Sequence, residues 1–178
     1  VLRHNPYISN IYSASDLPSK KDQYCSVVDF GCPCVVHEQP GAKPVNRIDL
    51  FARYVRLQLA DTHVDYFITE DERFWAEEFM VTKALKRRPN ILIQPFSSSL
   101  RRDAPVNLMQ QVMRKILTRQ KVNFLVLTHD SDNDKNTRWD WPEVMPLHNF
   151  HVRQIAAIME QCDLVFCPDS SILHLAGA

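Results

Sequence analysis

An α/β fold built on a parallel sheet is what the second half of this 178-residue sequence predicts, and three observations predict it. Ile91-Leu92-Ile93, Val122 to Leu127 and Leu164-Val165-Phe166 are continuous apolar runs with the length of buried strands. Amphipathic stretches separate them. Strands buried on both faces read as unbroken apolar runs, and their alternation with helices marks βαβ units. Residues 90–178 are therefore expected to form a doubly wound half-domain covered by helices on both faces.

Composition bounds the rest. The length matches about one domain at roughly 100–200 residues each. A hydrophobic share of 45% and a charged share of 24% exclude a disordered tail, a collagen and a coiled coil. The 21 basic residues balance the 21 acidic ones, which argues against a broad electrostatic grip on nucleic acid. No apolar run approaches the roughly 18 residues of a membrane-spanning helix, and the start lacks a basic-then-apolar signal pattern. Five cysteines, an odd number, do not space as a secreted disulfide framework, so a reduced, cytoplasmic protein is expected. The chain opens on Val1 and closes on His174-Leu175-Ala176-Gly177-Ala178, a helix still under way, so a piece of a longer protein is expected.

Taken in order, the first forty-odd residues read as short strands broken by turns. Cys25 to Phe30 and Cys34 to His37 are β-rich runs flanked by Gly31, Pro33, Pro40 and Gly41. Asn46 reads as an N-cap, and Ile48, Phe51, Val55 and Leu59 at helical spacing predict a helix from about Arg47 to Leu59. Val64 to Ile68 reads as a strand or an extended linker. Thr69 and Glu72 form a capping box for a helix that buries Phe74, Trp75 and Phe79. Lys83, Lys86, Arg87 and Arg88 place positive charge at its C-terminal end, with Pro89 as the stop. Past the first apolar run, a helix opened by Pro105 runs to about Gln120. Another spans about Phe150 to Gln161 and carries Val152, Ile155, Ala156 and Met159.

In an open parallel sheet, ligands bind beyond the carboxyl ends of the strands. That selects three loops: Gln94 to Ala104, Thr128 to Asn149 and Cys167 to Ile172. In the third, Cys167-Pro168-Asp169-Ser170-Ser171 joins a strand to a helix, so the N–H groups of Ser170 and Ser171 form an anion site at a helix N-terminus, with His174 one turn on. The competing reading has Asp169 capping the helix and His174 packed beneath it. Cysteine chemistry is a poor prospect: Cys32-Pro33-Cys34 and the Cys162/Cys167 pair lack the spacing of a structural zinc site, and the latter two flank an expected buried strand. The carboxylates at Asp130, Asp132 and Asp134 lack the Gly and terminal Glu of an EF-hand. No G-x-S-x-G nucleophile elbow appears.

The stretch from Ala157 to Ala178 resembles the signature of glycosyltransferase family 9, which includes the lipopolysaccharide heptosyltransferases. That signature runs apolar strand, Asp, Ser or Thr, Gly, two residues, His, Leu, Ala and a small residue. The sequence matches at Asp169, Ser170, His174, Leu175 and Ala176, and carries Ser171 where the family usually has Gly. Asn46 to Ala52, the Thr69-to-Phe79 helix and Asn5-Pro6-Tyr7-Ile8 resemble further family segments more loosely.

The resemblance implies a GT-B-like fold. Residues 1–67 would be a partial, acceptor-side Rossmann-like domain, 68–89 a linking helix and 90–178 a truncated nucleotide-sugar-binding domain. It implies transfer of a sugar, ADP-heptose-like, from a nucleotide-diphosphate donor to a glycan or lipopolysaccharide-type acceptor. The implied mechanism is inverting, with no metal and no cofactor beyond the donor substrate. The implied donor-binding residues are Asp169, Ser170, Ser171 and His174. To these the resemblance adds Ser97 and Ser98, then Arg101 or Arg102 for the phosphates, and Asp132, or else Asp130, for the ribose. Trp139 and Trp141 shield the base or serve as ordinary hydrophobic anchors. The family's base lies near the start of its first domain, ahead of anything in this chain, so the 178 residues alone are expected to bind a nucleotide weakly and transfer nothing. Peripheral membrane contact is compatible with this reading.

Two alternatives belong to other classes. A non-catalytic nucleotide-sugar-binding or structural module, derived from such a transferase, fits Ser171. A flavodoxin-like regulatory domain would need an acidic site at the end of its first strand, where Ile91-Leu92-Ile93-Gln94-Pro95 offers none.

Overall fold

The structure, a computed structural model, describes residues 4–16, 23–24, 26–29, 46–97, 101–130, 139 and 141–178. The chain divides into two compact units, Pro6–Val64 and Asp65–Ala178, with the first five residues divided between them.

In the smaller unit, helix α1 (Arg47–Tyr54) opens as the sequence predicts: the Asn46 side chain accepts from Ile48 N at 2.9 Å. It stops at Tyr54 rather than Leu59. Arg56 takes a left-handed φ of 58°, and Leu57 N folds back onto Ala52 O at 2.8 Å, a Schellman-type ending. Leu59, expected on the apolar stripe, is exposed in consequence, as is Leu57. Ser26–Asp29 form no strand, and Cys34 to His37 lies outside the described residues.

The larger unit begins with an extended stretch, 65–69, leading into helix α2 (Glu70–Thr82). Its capping box is present, with Thr69 N donating to Glu72 Oε2 at 2.8 Å and Glu72 N to Thr69 Oγ1 at 3.3 Å. Ala76 and Met80 form the buried line of α2, with Trp75 and Phe79 packed beside them. Phe74, expected inside, is 63% exposed. Two residues before Ala76 is a rotation of about 200°, which turns Phe74 away from the core. Ala84 at φ 56° ends the helical run, and a 3-10 turn, Leu85–Arg87, leads to the sheet.

Four parallel strands form that sheet: β1 (Asn90–Ile93), β2 (Asn123–Thr128), β3 (Val144–His148) and β4 (Leu164–Phe166), in the order β3-β2-β1-β4. Helices α3 (Val106–Leu117), α4 (Val152–Met159) and α5 (Ser171–Ala176) alternate with them. Register puts Leu92 beside Leu125 and Val165. Successive strand residues point to opposite faces. Leu92, Leu125 and Leu147 therefore pack with α2 and α4 through Ala76, Met80 and Ile158. Ile91, Ile93, Phe124 and Val126 pack on the other face against Met109 and Met113 of α3. Each fully buried aliphatic side chain of this kind contributes about 1.5–3 kcal/mol.

Strand β3 lies inside a stretch expected to be loop. Pro146 at its middle argues against a strand, because proline cannot donate to a ladder. At the edge of the sheet that missing donor faces away from β2, and the pairing Val126↔Pro146 survives. Strand β4 is the other edge, not the buried strand expected: Leu164 and Phe166 are about half exposed. Helix α3 ends at Leu117 rather than near Gln120, and α4 is shorter than expected, capped by His151 and closed at Met159. Trp139 is buried in the α3-side core and Trp141 lies under Arg114, 5.0 Å from its guanidinium carbon, so both are hydrophobic anchors.

Candidate functional site

The loops that leave β1, β2, β3 and β4 emerge on one edge of the sheet, because all four strands are parallel. The loop after β1 is tied down twice: Ser97 N donates to Asp103 Oδ1 at 2.6 Å, and Ala104 N to Pro95 O at 3.2 Å. It is also joined to the loop after β4. Gln94 N donates to Phe166 O at 3.0 Å, and Ser170 Oγ donates to Gln94 Oε1 at 2.5 Å. Arg102 Nη1 donates to Asp169 O at 3.0 Å and lies 3.9 Å from Asp169 Oδ2.

Ser170, not Asp169, caps α5. Its hydroxyl accepts from Ile172 N at 3.2 Å while donating to Gln94, so one side chain serves both the helix start and the neighbouring loop. Asp169 is left largely exposed, with its carboxylate beside Arg102. The loops border a cavity of about 410 Å³, within the usual range for small-molecule sites. Gln94, Phe96 and Ser97 line it from the first loop, Thr128 and His129 from the second, and Ser171 and Ile172 from α5. Leu147, Phe150 and Ile155 supply an apolar wall. A slightly larger cavity of about 470 Å³ opens beside Cys162–Val165, away from these loops. Glu160 and Asp163 line it and its one hydroxyl is that of Tyr66, whereas Ser97, Thr128 and Ser171 line the 410 Å³ cavity, which is the better anion site.

Of the residues expected from sequence, Ser97, Arg102, Asp169, Ser170 and Ser171 come together around these two loops. Arg101 is exposed in the same loop; of the two arginines, Arg102 is the one engaged with Asp169. His174 is exposed one turn into α5; of the expected residues that are described, Ser97 and Ser171 line the cavity, and Arg101, Arg102, Asp169, Ser170 and His174 do not. Ser98 and Asp132 lie outside the described residues.

One group of residues was not anticipated as a unit. Register places His148 beside Thr128, and His148 bridges Thr128 Oγ1 at 3.1 Å and Asp130 Oδ1 at 3.0 Å through its two ring nitrogens. Asn149, at φ 55°, donates from Nδ2 to Asp130 Oδ2 at 2.7 Å and accepts from Asp130 N at 3.1 Å. The Asn149 amide first, and His148 second, hold the Asp130 carboxyl below its ordinary range. Its signal in the sequence was β3 itself: a strand ending at His148 must set that ring beside the end of β2.

In the first turn of α4, Arg153 is paired with Glu72, donates to Phe67 O at 2.8 Å and lies over the Tyr66 ring at 5.4 Å. The Arg153 hydrogen bond pulls the Glu72 carboxyl down to about 2. Burial pushes the Cys162 thiol up to about 12 and raises Cys167 as well, so neither is a poised nucleophile. Among the described residues, no three His, Cys, Asp or Glu side chains converge as a metal-ligand set, and no helix is long and apolar enough to cross a membrane.

A family model described as glycosyltransferase family 9 (heptosyltransferase) matches residues 35–178. Among solved structures, the chain is similar to the glycosyl transferase family 9 from Veillonella parvula DSM 2008. There the TM-score is 0.59 and the identity 18%, covering 73% of this chain and 38% of that one. It is similar also to the E. coli ADP-heptose LPS heptosyltransferase II, with a TM-score of 0.51 and 13% identity, covering 63% of this chain and 36% of that one. These likenesses show the fold. The chain spans less than two-fifths of the length of either structure. No curated protein matches.

Proposed function

The chain belongs to glycosyltransferase family 9, and on that premise we propose that it is the nucleotide-sugar-binding part of a sugar transferase. The donor is a nucleotide-diphosphate sugar of the ADP-heptose kind, and the acceptor a glycan or lipopolysaccharide-type hydroxyl. The observation that carries this reading is Arg102: a cation from one loop fixed on the Asp169 loop, where the chain on either side of that contact gives Ser97 and Ser171 to the lining of the 410 Å³ cavity.

In the reaction, an acceptor oxygen attacks the anomeric carbon while the bond to the diphosphate breaks, and the configuration inverts. The bond's electron pair passes to the leaving phosphate oxygen. Arg102, with the hydroxyls of Ser97 and Ser171, suits the charge that develops there, which is where preorganised donors act most strongly. This assigns to a guanidinium the role a divalent metal would otherwise fill. Asp169, a carboxylate, suits sugar hydroxyls rather than phosphate, and its closeness to Arg102 offsets its repulsion of the diphosphate. Asp130, held ionised by Asn149 and His148, suits the ribose hydroxyls. The acceptor's proton passes to a base that is assigned to no residue here.

The same reading takes 90–178 as the donor half, 68–89 as the link and 1–67 as part of the acceptor side. It places the protein in the cytoplasm, supported by the free thiols of Cys162 and Cys167. Calorimetry with ADP, UDP and GDP, beside a donor-turnover assay, tests it. Binding of one nucleoside diphosphate supports the reading; no binding of any supports a purely structural module instead.

A further inference from the structure

The opposite edge of the sheet carries a different chemistry. Three turns meet there, from α2 to β1, from α3 to β2 and from α4 to β4. Asn123 joins the first two, with its N–H donating to Pro89 O at 2.8 Å and its Nδ2 to Leu85 O at 3.2 Å. The first turn carries Lys83, Lys86, Arg87 and Arg88, and the second Arg119 and Lys121. All six are exposed, and none is ion-paired among the described residues. Lys86, Arg87 and Arg88 wall a shallow polar cavity of about 390 Å³, with Asn90, Gln161 and Asp163 on its other side.

Part of this charge has a local explanation. Helices α2, α3 and α4 end at this edge, and each helix C-terminus carries about half a negative charge that cations offset. Six cations exceed what three helix ends require. The acids on the same edge are fewer: Asp163, whose carboxylate already accepts from Asn90 N at 2.8 Å, Glu160, already paired with Arg73, and Glu143. The chain as a whole is neutral, so its basic residues are segregated here rather than in excess. Apolar surface flanks the cations: Val81 is 61% exposed and Leu164, at the start of β4, is 54% exposed.

We propose that this amino edge of the sheet docks on an anionic lipid surface, its six cations facing phosphate headgroups and Val81 and Leu164 resting among them. Clustered Lys and Arg are drawn to the negative potential of such a surface over about a Debye length. The apolar flanks favour a lipid interface over a nucleic acid, whose backbone offers them nothing. Strands of 3–6 residues at about 3.3 Å each separate the two edges by roughly 10–20 Å. The donor cavity then opens away from the lipid, so this edge anchors the protein and does not deliver the acceptor.

The test is co-sedimentation of the 178-residue chain with vesicles of phosphatidylcholine alone and of phosphatidylcholine with phosphatidylglycerol. Binding is expected only with phosphatidylglycerol, weakening steeply as salt rises. The variant Lys86→Gln/Arg87→Gln/Arg88→Gln is expected to lose roughly a hundred-fold in partitioning, at about five-fold per cation removed. Arg87→Lys/Arg88→Lys keeps the charge and is expected to bind as the parent does. Arg101→Gln, which removes an exposed cation from the opposite edge of the sheet, is expected to leave binding unchanged. Circular dichroism shows whether each variant is folded, and the lysine variant decides the matter if the glutamine one is not. Equal binding to both vesicle types, none to either, or loss in the lysine variant overturns the proposal. So does equally tight binding to duplex DNA, which would mark a general polyanion patch.

Discussion

Arg102 and Asp169 are 67 residues apart in sequence, yet the guanidinium of one donates to the main-chain carbonyl of the other at 3.0 Å. Parallel pairing of β1 with β4 makes this possible, since it brings the loops that follow them to the same edge. The bond fixes a cation beside the start of α5 before any ligand arrives. A donor group already in place loses little freedom on binding, which is what favours anion recognition there.

Replacing Arg102 with Ala is expected to weaken nucleoside diphosphate binding by about ten- to a hundred-fold, the scale of one charge-assisted hydrogen bond. Arg102→Lys, which keeps the charge without the planar fork, falls between. The side chain is 40% exposed, so the melting temperature is expected to move little in either variant. Calorimetry and thermal melting check both statements.

Ser170→Ala removes a helix cap and the bond to Gln94 together. Loss of stability by about 1 kcal/mol is expected from the cap alone, with nucleotide binding weakened as the two loops separate. Ser170→Thr keeps the hydroxyl and is expected to restore most of both. Chemical denaturation of the three proteins side by side measures the difference.

The Glu72–Arg153 pair gives stability a defined pH dependence. The Glu72 carboxyl lies at about 2 in the folded chain against an ordinary 4.5. Unfolding therefore takes up a proton between those values. The stabilisation is fully present above about pH 4.5 and is lost as pH falls toward 2, and it amounts to at most about 3 kcal/mol. Glu72→Gln is expected to be less stable at pH 7 and to lose that part of the acid dependence. Denaturation midpoints measured from pH 7 down to pH 2 show whether the two curves converge.

Asp130 is expected to titrate below an ordinary aspartate, and Asn149→Ala to bring it back up, because the Asn149 amide is the largest cause of the shift. Carboxyl-detected NMR across the acid range reads both directly.

Much of this was legible in the sequence because the governing interactions are local. Asn46 and the Thr69–Glu72 box bond to backbone within three residues, and each caps its helix as expected. The runs at Ile91, Val122 and Leu164 became strands because their apolar character is continuous. What escaped depends on neighbours distant in sequence. Pro146 reads as a strand breaker until β3 is known to lie at an edge. Phe74 reads as core until the rotation of α2 is fixed by Ala76 and Met80. The link from Ser170 to Gln94 spans 76 residues and carries no local signal. The residues that gather around Asp169-Ser170-Ser171 were readable as residue types, but the choice of Arg102 over Arg101 needed the strand order.

The central claim, that the carboxyl edge binds a nucleotide-diphosphate sugar, is tested most directly by titrating the 178-residue chain with ADP, UDP and GDP in a calorimeter, with and without Arg102→Ala. The account predicts measurable binding of at least one nucleotide, weakened about ten-fold or more by the substitution. Absence of binding to all three, or binding that Arg102→Ala leaves unchanged, would contradict it.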